Sequence, residues 1–159
     1  MSEEVWKQPE IIQWSQILLN SYEKLLQQPL IARVGDTLEQ SKALFLAPFV
    51  VVSHGTETDP ILNYGNQIAL ELWETSWEDL LATPSRLTAE PVNRQERKRM
   101  LDLARKQGFI ANYCGIRITK GRRRFSIEGA IIWNLMNCQE QACGQAATFS
   151  QWSFLAPES

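Results

Sequence analysis

One histidine and three cysteines leave this 159-residue chain poorly stocked for most side-chain chemistry. With His54 as the sole imidazole, no relay of histidines can serve several catalytic roles. Cys114, Cys138 and Cys143 are odd in number and lack the paired spacing of zinc ligands, so they read as free thiols of a reducing compartment. No apolar stretch approaches the roughly 18 residues of a membrane-crossing helix. The longest apolar run, Ala43 to Val52, is broken by Pro48 and reads as a buried strand. A start of Ser2, Glu3 and Glu4 lacks the basic residues of a targeting peptide. The expectation is a soluble, cytoplasmic protein. Also missing are a Gly-x-Ser-x-Gly elbow, a Walker loop, a Gly-x-Gly-x-x-Gly turn, internal repeats and low-complexity tracts.

What is present is an ordinary globular composition, 44% apolar and 21% charged, with six tryptophans. Tryptophans of this number suit a core or an interface rather than solvent. The net charge of −2 hides an uneven spread. Met1 to Val92 carries 5 basic and 13 acidic residues, Asn93 to Arg124 carries 11 and 2, and the tail carries 3 acidic residues alone. Such separation can orient a partner or a second copy of the chain.

Pro9 to Gln28 has the period of an amphipathic helix, with Ile11, Ile12, Trp14, Ile17, Leu18, Tyr22, Leu25 and Leu26 on a broad apolar side. Pro9 suits the first turn and Pro29 closes the helix. Residues 30 to 42 read as a polar connector with at most a short helix. Leu44 to Ser53 and Ile61 to Tyr64 predict strands around a turn at His54 to Pro60. Asn66 caps a helix over Gln67 to Glu74, and Thr75 with Glu78 forms a capping box for another through Leu81. A longer helix runs from Asn93 to Gln107, ended by Gly108 at positive φ with Phe109 folding back on it.

The rest alternates with period two. Cys114, Ile116 and Ile118 face one way and Arg117 and Thr119 the other, before a hairpin turn at Lys120-Gly121-Arg122. Phe125, Ile127, Ile131, Trp133 and Leu135 then line one face of a long strand, and a further strand lies in Ala146 to Leu155. Around Ile131-Ile132-Trp133 both faces turn apolar, which predicts a sheet covered on both sides, with the N-terminal helix or a partner subunit as the second cover.

That order of elements is the layout of PAS domains, and the chain resembles the MEKHLA family within that superfamily. The resemblance rests on Ser53-His54-Gly55, Asp59-Pro60-Ile61, Asn63-Tyr64, Asn66, Trp77, Pro84-Ser85-Arg86, Thr88-Ala89-Glu90-Pro91, Asn93-Arg94, Gln107-Gly108-Phe109, Tyr113-Cys114-Gly115-Ile116-Arg117, Arg123-Arg124-Phe125 and Trp133-Asn134. It implies an α+β fold: a PAS-like five-stranded antiparallel sheet with short helices on one face. Residues 1–40 would be an N-terminal helical extension and 41–159 the PAS-like domain. The DNA-binding and zipper segments of plant family members have no counterpart here, so the resemblance implies sensing or protein interaction rather than DNA binding.

PAS domains hold small ligands between sheet and helices. Tyr64, Trp73, Trp77, Tyr113, Phe125 and Trp133 are the aromatics that could line such a hollow, although most serve equally as filled core. The ligand-binding candidates are His54, Asn66, Trp73, Tyr113, Trp133 and Asn134. No cofactor is indicated. His54 lies in a turn rather than on the central helices where PAS haem ligands sit, and residues 66 to 107 contain no cysteine for a flavin adduct. The basic stretch at 94 to 124 could face nucleic acid, but a solvated helix face and a charged hairpin are the commoner causes, and the acidic overall balance weighs against a nucleic-acid partner. The reading is a sensor or interaction module that binds a small apolar or aromatic ligand or a partner protein. It would form a homodimer through the N-terminal helix or a sheet face, without catalytic activity of its own. The alternative is a small cone-shaped enzyme using a buried carboxylate, with Asp59, Glu90 and Glu128 as candidates. For Glu128 the simpler reading is exposure to solvent or pairing with Arg117.

Overall fold

The computed structural model describes residues 4–88, 95, 98–100, 102–103 and 106–156. Helix α1, Pro9–Leu26, follows a 3-10 turn at Val5–Lys7. Pro9 occupies its first turn and Gln27, at φ 61°, closes it in the left-handed region.

Helix α2, Thr37–Phe45, is longer than the connector expected there, and it takes Leu44 and Phe45 away from the predicted strand. Two local signals account for this. Asp36 and Glu39 form a reciprocal capping box, and Ser41, Leu44 and Phe45 are buried at helical rather than alternating spacing. Strand β1, Val50–His54, therefore starts only after Pro48, and β2 covers Leu62–Gly65. Helices α3, Gln67–Leu72, and α4, Trp77–Leu80, are capped by Asn66 and Ser76. The second cap lies one residue past the expected Thr75, because the Ser76 hydroxyl accepts from the Asp79 amide at 3.1 Å.

The helix expected from Asn93 to Gln107 has its start and several of its residues outside the described set, though 98–100, 102–103 and 106–107 are helical. Gly108 follows at φ +94°, as a helix-ending glycine should. Strands β3, Phe109–Ile118, β4, Arg124–Met136, β5, Ala142–Phe149, and β6, Gln151–Phe154, complete the sheet. Its order is β2-β1-β5-β4-β3, with β6 also on β4. Ile131 faces Thr148, and Phe125 faces Phe154 in the same running register, so β5 and β6 form one lane interrupted at Ser150. The sheet thus has five lanes, all antiparallel.

The simple alternation read from the sequence fails at one level of the sheet. Asn112 in β3 (φ +58°) and Gly129 in β4 (φ +64°) are both left-handed there, beside the break at Ser150. Each irregularity moves the side-chain pattern on by one position. Phe125 and Ile127 therefore share a face with Ala130 and Ile132, while Trp133 and Leu135 face the opposite way. In β3 and just past its end the same shift buries Tyr113, Arg117 and Thr119 and leaves Cys114 exposed, the reverse of the hydrophobic assignment expected for that strand.

Two apolar layers result. One joins α1 and α2 to one sheet face through Leu18, Leu19, Tyr22, Leu44, Trp133 and Leu135. The N-terminal helix is thus the second cover. Trp133 donates from Nε1 to the Leu18 carbonyl at 3.3 Å and meets Tyr22 edge-on at 5.0 Å. Trp14 donates to the Ser53 hydroxyl at 2.9 Å. The other layer lies between the opposite face and α3, with Trp73, Ile110, Tyr113, Phe125, Ile132 and Phe149 among its members. Among the described residues no helix is long and apolar enough to cross a membrane.

Candidate functional site

The second layer is not completely filled. A cavity of about 60 Å³ remains between the sheet and the segment from Trp73 to Thr88. Its apolar wall includes Val52, Leu62, Ile127, Ile132, Ala147 and Phe149. Its polar groups come from His54 at the end of β1, Ser85 and Thr88 in a 3-10 turn, Tyr113 and Arg117 on β3, and Gln145 on β5.

Cross-strand register sets the sheet part of this list. Asn134 pairs with Gln145, and Gln145 with His54, so one row across β4, β5 and β1 presents three polar side chains on the cavity face. Gln145 donates to the Asn134 side-chain oxygen at 3.0 Å. His54 Nδ1 lies 2.9 Å from the Gly55 carbonyl. On the edge of the sheet Arg117 faces Phe125 in the register and is buried, 8% exposed. Its Nη1 donates to the Ile116 carbonyl at 3.0 Å and its Nη2 to the Tyr113 hydroxyl at 3.2 Å. The guanidinium also lies over the Tyr113 ring, 5.4 Å from its centre. This pairing needs Gly115 between the two residues, because a Cβ there would come within 2.7 Å of the Tyr113 hydroxyl.

The floor of the cavity is built by contacts between distant parts of the chain. The Ser85 amide donates to the Pro60 carbonyl at 2.7 Å, and Leu62 donates to Thr83 at 2.9 Å. Arg86 spans both oxygens of Asp59 at 3.1 and 3.2 Å. Thr88 closes the turn by donating to the Ser85 carbonyl at 2.7 Å.

Three of the six expected ligand residues, His54, Trp73 and Tyr113, therefore meet at one cavity. Asn134 stands one hydrogen bond behind it, through Gln145. Asn66 and Trp133 have other work. Asn66 is fully buried and makes four hydrogen bonds, accepting from the Val51 and Ala69 amides and donating to the Leu44 and Phe49 carbonyls. It ties the end of α2 to β1 and α3. Trp133 belongs to the layer beneath α1, on the other face of the sheet.

Sequence reasoning missed Arg117, Gln145, Ser85 and Thr88 as cavity residues. Arg117 was available from the strand, but an arginine opposite an isoleucine stripe reads as a solvent-facing residue until the bulge at Asn112 is known. Of the two simpler readings of Glu128, exposure to solvent holds and pairing with Arg117 does not; Glu128 is exposed and stands opposite Gln151. Asp59 is also at the surface, bound to Arg86. Neither is the buried carboxylate that the enzymatic alternative requires, and Glu90 lies outside the described residues.

Elsewhere, burial pushes the Tyr64 phenol far above its usual pKa, against a smaller influence of the Ser15 hydroxyl. Burial also raises Cys143. Among the described residues no three His, Cys, Asp or Glu side chains gather into a cluster.

A five-lane antiparallel sheet with short helices over a central cavity is the architecture of PAS domains. The chain is similar to the PAS domain of a protein from Colwellia psychrerythraea, with a TM-score of 0.62 and 16% identity over 76% of this chain and 98% of that one. It is also similar to a light-oxygen-voltage domain studied with a flavin analogue (TM-score 0.58, 15% identity, 74% and 85% covered). A third similar structure is the PAS domain, in complex with ethanol, of a LuxR-family transcriptional regulator from Burkholderia thailandensis (TM-score 0.52, 19% identity, 71% and 94% covered). At these identities the likeness concerns the fold. No relative is found among curated protein sequences. The model of the MEKHLA domain matches residues 12–154, nearly the whole chain and most of α1. The chain belongs to the MEKHLA domain family.

Proposed function

We propose that this protein is a cytoplasmic PAS-type sensor module that binds a small ligand between its sheet and short helices and passes the signal on by protein contact, without a reaction of its own. The observation that carries the reading is the cavity itself, an incompletely filled core whose apolar wall is interrupted by a few convergent polar groups. Ligand entry there bears on Trp73, Tyr113 and the turn at Ser85–Thr88, all of which meet the sheet. The sheet transmits the change to its opposite face, where α1 lies.

The acting unit in this proposal is a homodimer. The buried side of α1, with Ile11, Leu18, Leu19 and Tyr22, is committed to its own sheet. A second copy therefore meets α1 along its flanks, where Ile12, Trp14 and Ile17 stay half-buried, or meets the sheet edge. The basic stretch is engaged partly within the molecule, as Lys120 pairs with Asp79 at 2.6 Å and Arg123 with Glu74 at 3.1 Å. That supports a protein rather than a nucleic-acid partner.

Native mass spectrometry of protein purified from its own host, with an absorption spectrum, tests the reading. The expected result is an excess mass on the folded protein that disappears on denaturation. Protein of bare mass, together with no thermal shift from any of a panel of small molecules, would overturn it.

A further inference from the structure

The cavity has an unbalanced set of polar groups, and the imbalance identifies a class of ligand. Arg117 is a permanent cation, and burying one without a counter-charge is costly. Among the described residues it has no ion pair; its partners are a carbonyl and a phenol, both neutral. A guanidinium offers five N–H donors, more than these two contacts use.

Trp73 supplies an independent sign. It lines the same cavity, it is 7% exposed, and its buried Nε1–H has no acceptor among the described residues. A buried donor left unmade carries the full desolvation cost of the group. The neighbouring side chains supply no negative charge. Thr88 spends its hydroxyl proton on the Ser85 carbonyl and Gln145 gives an amide N–H to Asn134, so what they offer the cavity is neutral oxygen acceptors and no counter-charge. The hydroxyl of Tyr113 accepts from Arg117, which leaves its own proton to donate. The unmet needs among the described lining residues are therefore those of a cation and of an indole N–H, and both call for a negatively charged acceptor.

We infer that the cavity binds a small organic acid as its carboxylate, with the two oxygens taking donors from Arg117, Tyr113 and Trp73. This rests on the proposal that the cavity is a ligand site, and it names the ligand's chemistry. A planar carboxylate matches the fork of a guanidinium, which a point-like anion does not. The apolar wall of Val52, Ile127, Ile132 and Phe149 requires the rest of the ligand to be hydrocarbon rather than a second charged group. Size limits it too. A cavity of about 60 Å³ has room for roughly four to six waters at ~10–15 Å³ each, so it suits a short-chain acid of a few heavy atoms.

The test is calorimetric titration of the purified full chain with sodium propionate and butyrate, against propanol, propionamide and sodium chloride at equal ionic strength. The carboxylates bind at one site per chain, while the neutral isosteres and chloride do not. Arg117→Met weakens carboxylate binding by about ten- to a hundred-fold, the value of a charge-assisted hydrogen bond. Its own melting temperature and circular dichroism report whether it folds. Trp73→Phe removes only the indole donor and keeps the ring, so it separates binding from packing; it weakens the carboxylate several-fold. In the proton spectrum of the wild type, one of six indole N–H signals moves downfield on adding propionate and is missing in Trp73→Phe.

Equal binding of propanol or propionamide would overturn the inference, as would undiminished carboxylate binding by a folded Arg117→Met. A neutral compound co-purifying in native mass spectrometry would also overturn it, yet leave the cavity a ligand site. Failure of every small molecule to bind overturns both readings.

Discussion

At the scale of single residues, the strongest structural commitments are polar. Asn66 replaces, by one side chain, four hydrogen-bond partners for backbone groups of three elements. Asn66→Ala leaves those groups unpaired in the core and is expected to cost about 3 kcal/mol or more of unfolding free energy, read by urea denaturation. Asn66→Asp is expected to be worse still, since a carboxylate cannot donate to the Leu44 and Phe49 carbonyls. Gly115→Ala is a finer change. The added methyl displaces the Tyr113 hydroxyl from Arg117, and the expected result is weakened carboxylate binding with a melting temperature that falls only a few degrees. Titration calorimetry beside a thermal melt checks this. The sequence showed Asn66 as a cap, which it is, through the Ala69 amide at 3.3 Å. Its other three bonds reach Val51, Leu44 and Phe49, which local spacing cannot reveal.

At the scale of elements, α1 and the tip of the β3–β4 hairpin are held by different physics. Trp133 is fully buried between α1 and the sheet, and Trp133→Ala removes an indole, its bond to Leu18 and its contact with Tyr22. A loss of about 3–5 kcal/mol is expected, with hydrogen exchange of the α1 amides accelerated most. The strands of the hairpin belong to the apolar layers, and only its exposed tip is held electrostatically. The Thr119 hydroxyl, then Arg123 and the Gly121 amide, hold the Glu74 carboxyl below its usual pKa, outweighing a smaller effect of burial in the other direction. Lys120 does the same for Asp79. A carboxylate with a depressed folded value stabilises the fold above its unfolded pKa and loses that contribution as pH falls through the folded value. Between the usual glutamate value of 4.5 and lower pH, the tip of the hairpin is therefore expected to loosen from Glu74 and Asp79. Side-chain NMR titration of Glu74 and exchange of the Gly121 amide report it, and Glu74→Gln should flatten the response. High salt should weaken the same contacts, since these groups lie at the surface.

At the scale of the whole molecule, the sheet has a helical layer on each face, and the two faces have different tasks. One face is closed by α1 and α2 around Trp133; the other keeps a cavity beside Trp73, Tyr113 and Arg117. The proposed homodimer is expected to sediment as a single species of twice the 18.2 kDa chain at about tens of micromolar, a range in which weak dimers still form. A monomer at that concentration would sink the dimer while leaving the ligand site untouched.

The sequence by itself determined most of the element order, the Asn66 cap, the antiparallel sheet, the amphipathic N-terminal helix and the family to which the chain belongs. These follow from local period and motif, which neighbouring residues carry. Only the tertiary structure decided which side chains share a cavity. Three neighbouring strand lanes break their alternation at Asn112, Gly129 and Ser150, and each break moves the following side chains to the other face. That shift turned Arg117 inward and Cys114 outward, and it separated Trp133 from Ile127. A bulge is set by pairing between strands, not by composition within one, so the scarce chemistry of this chain becomes visible only once its lanes are side by side.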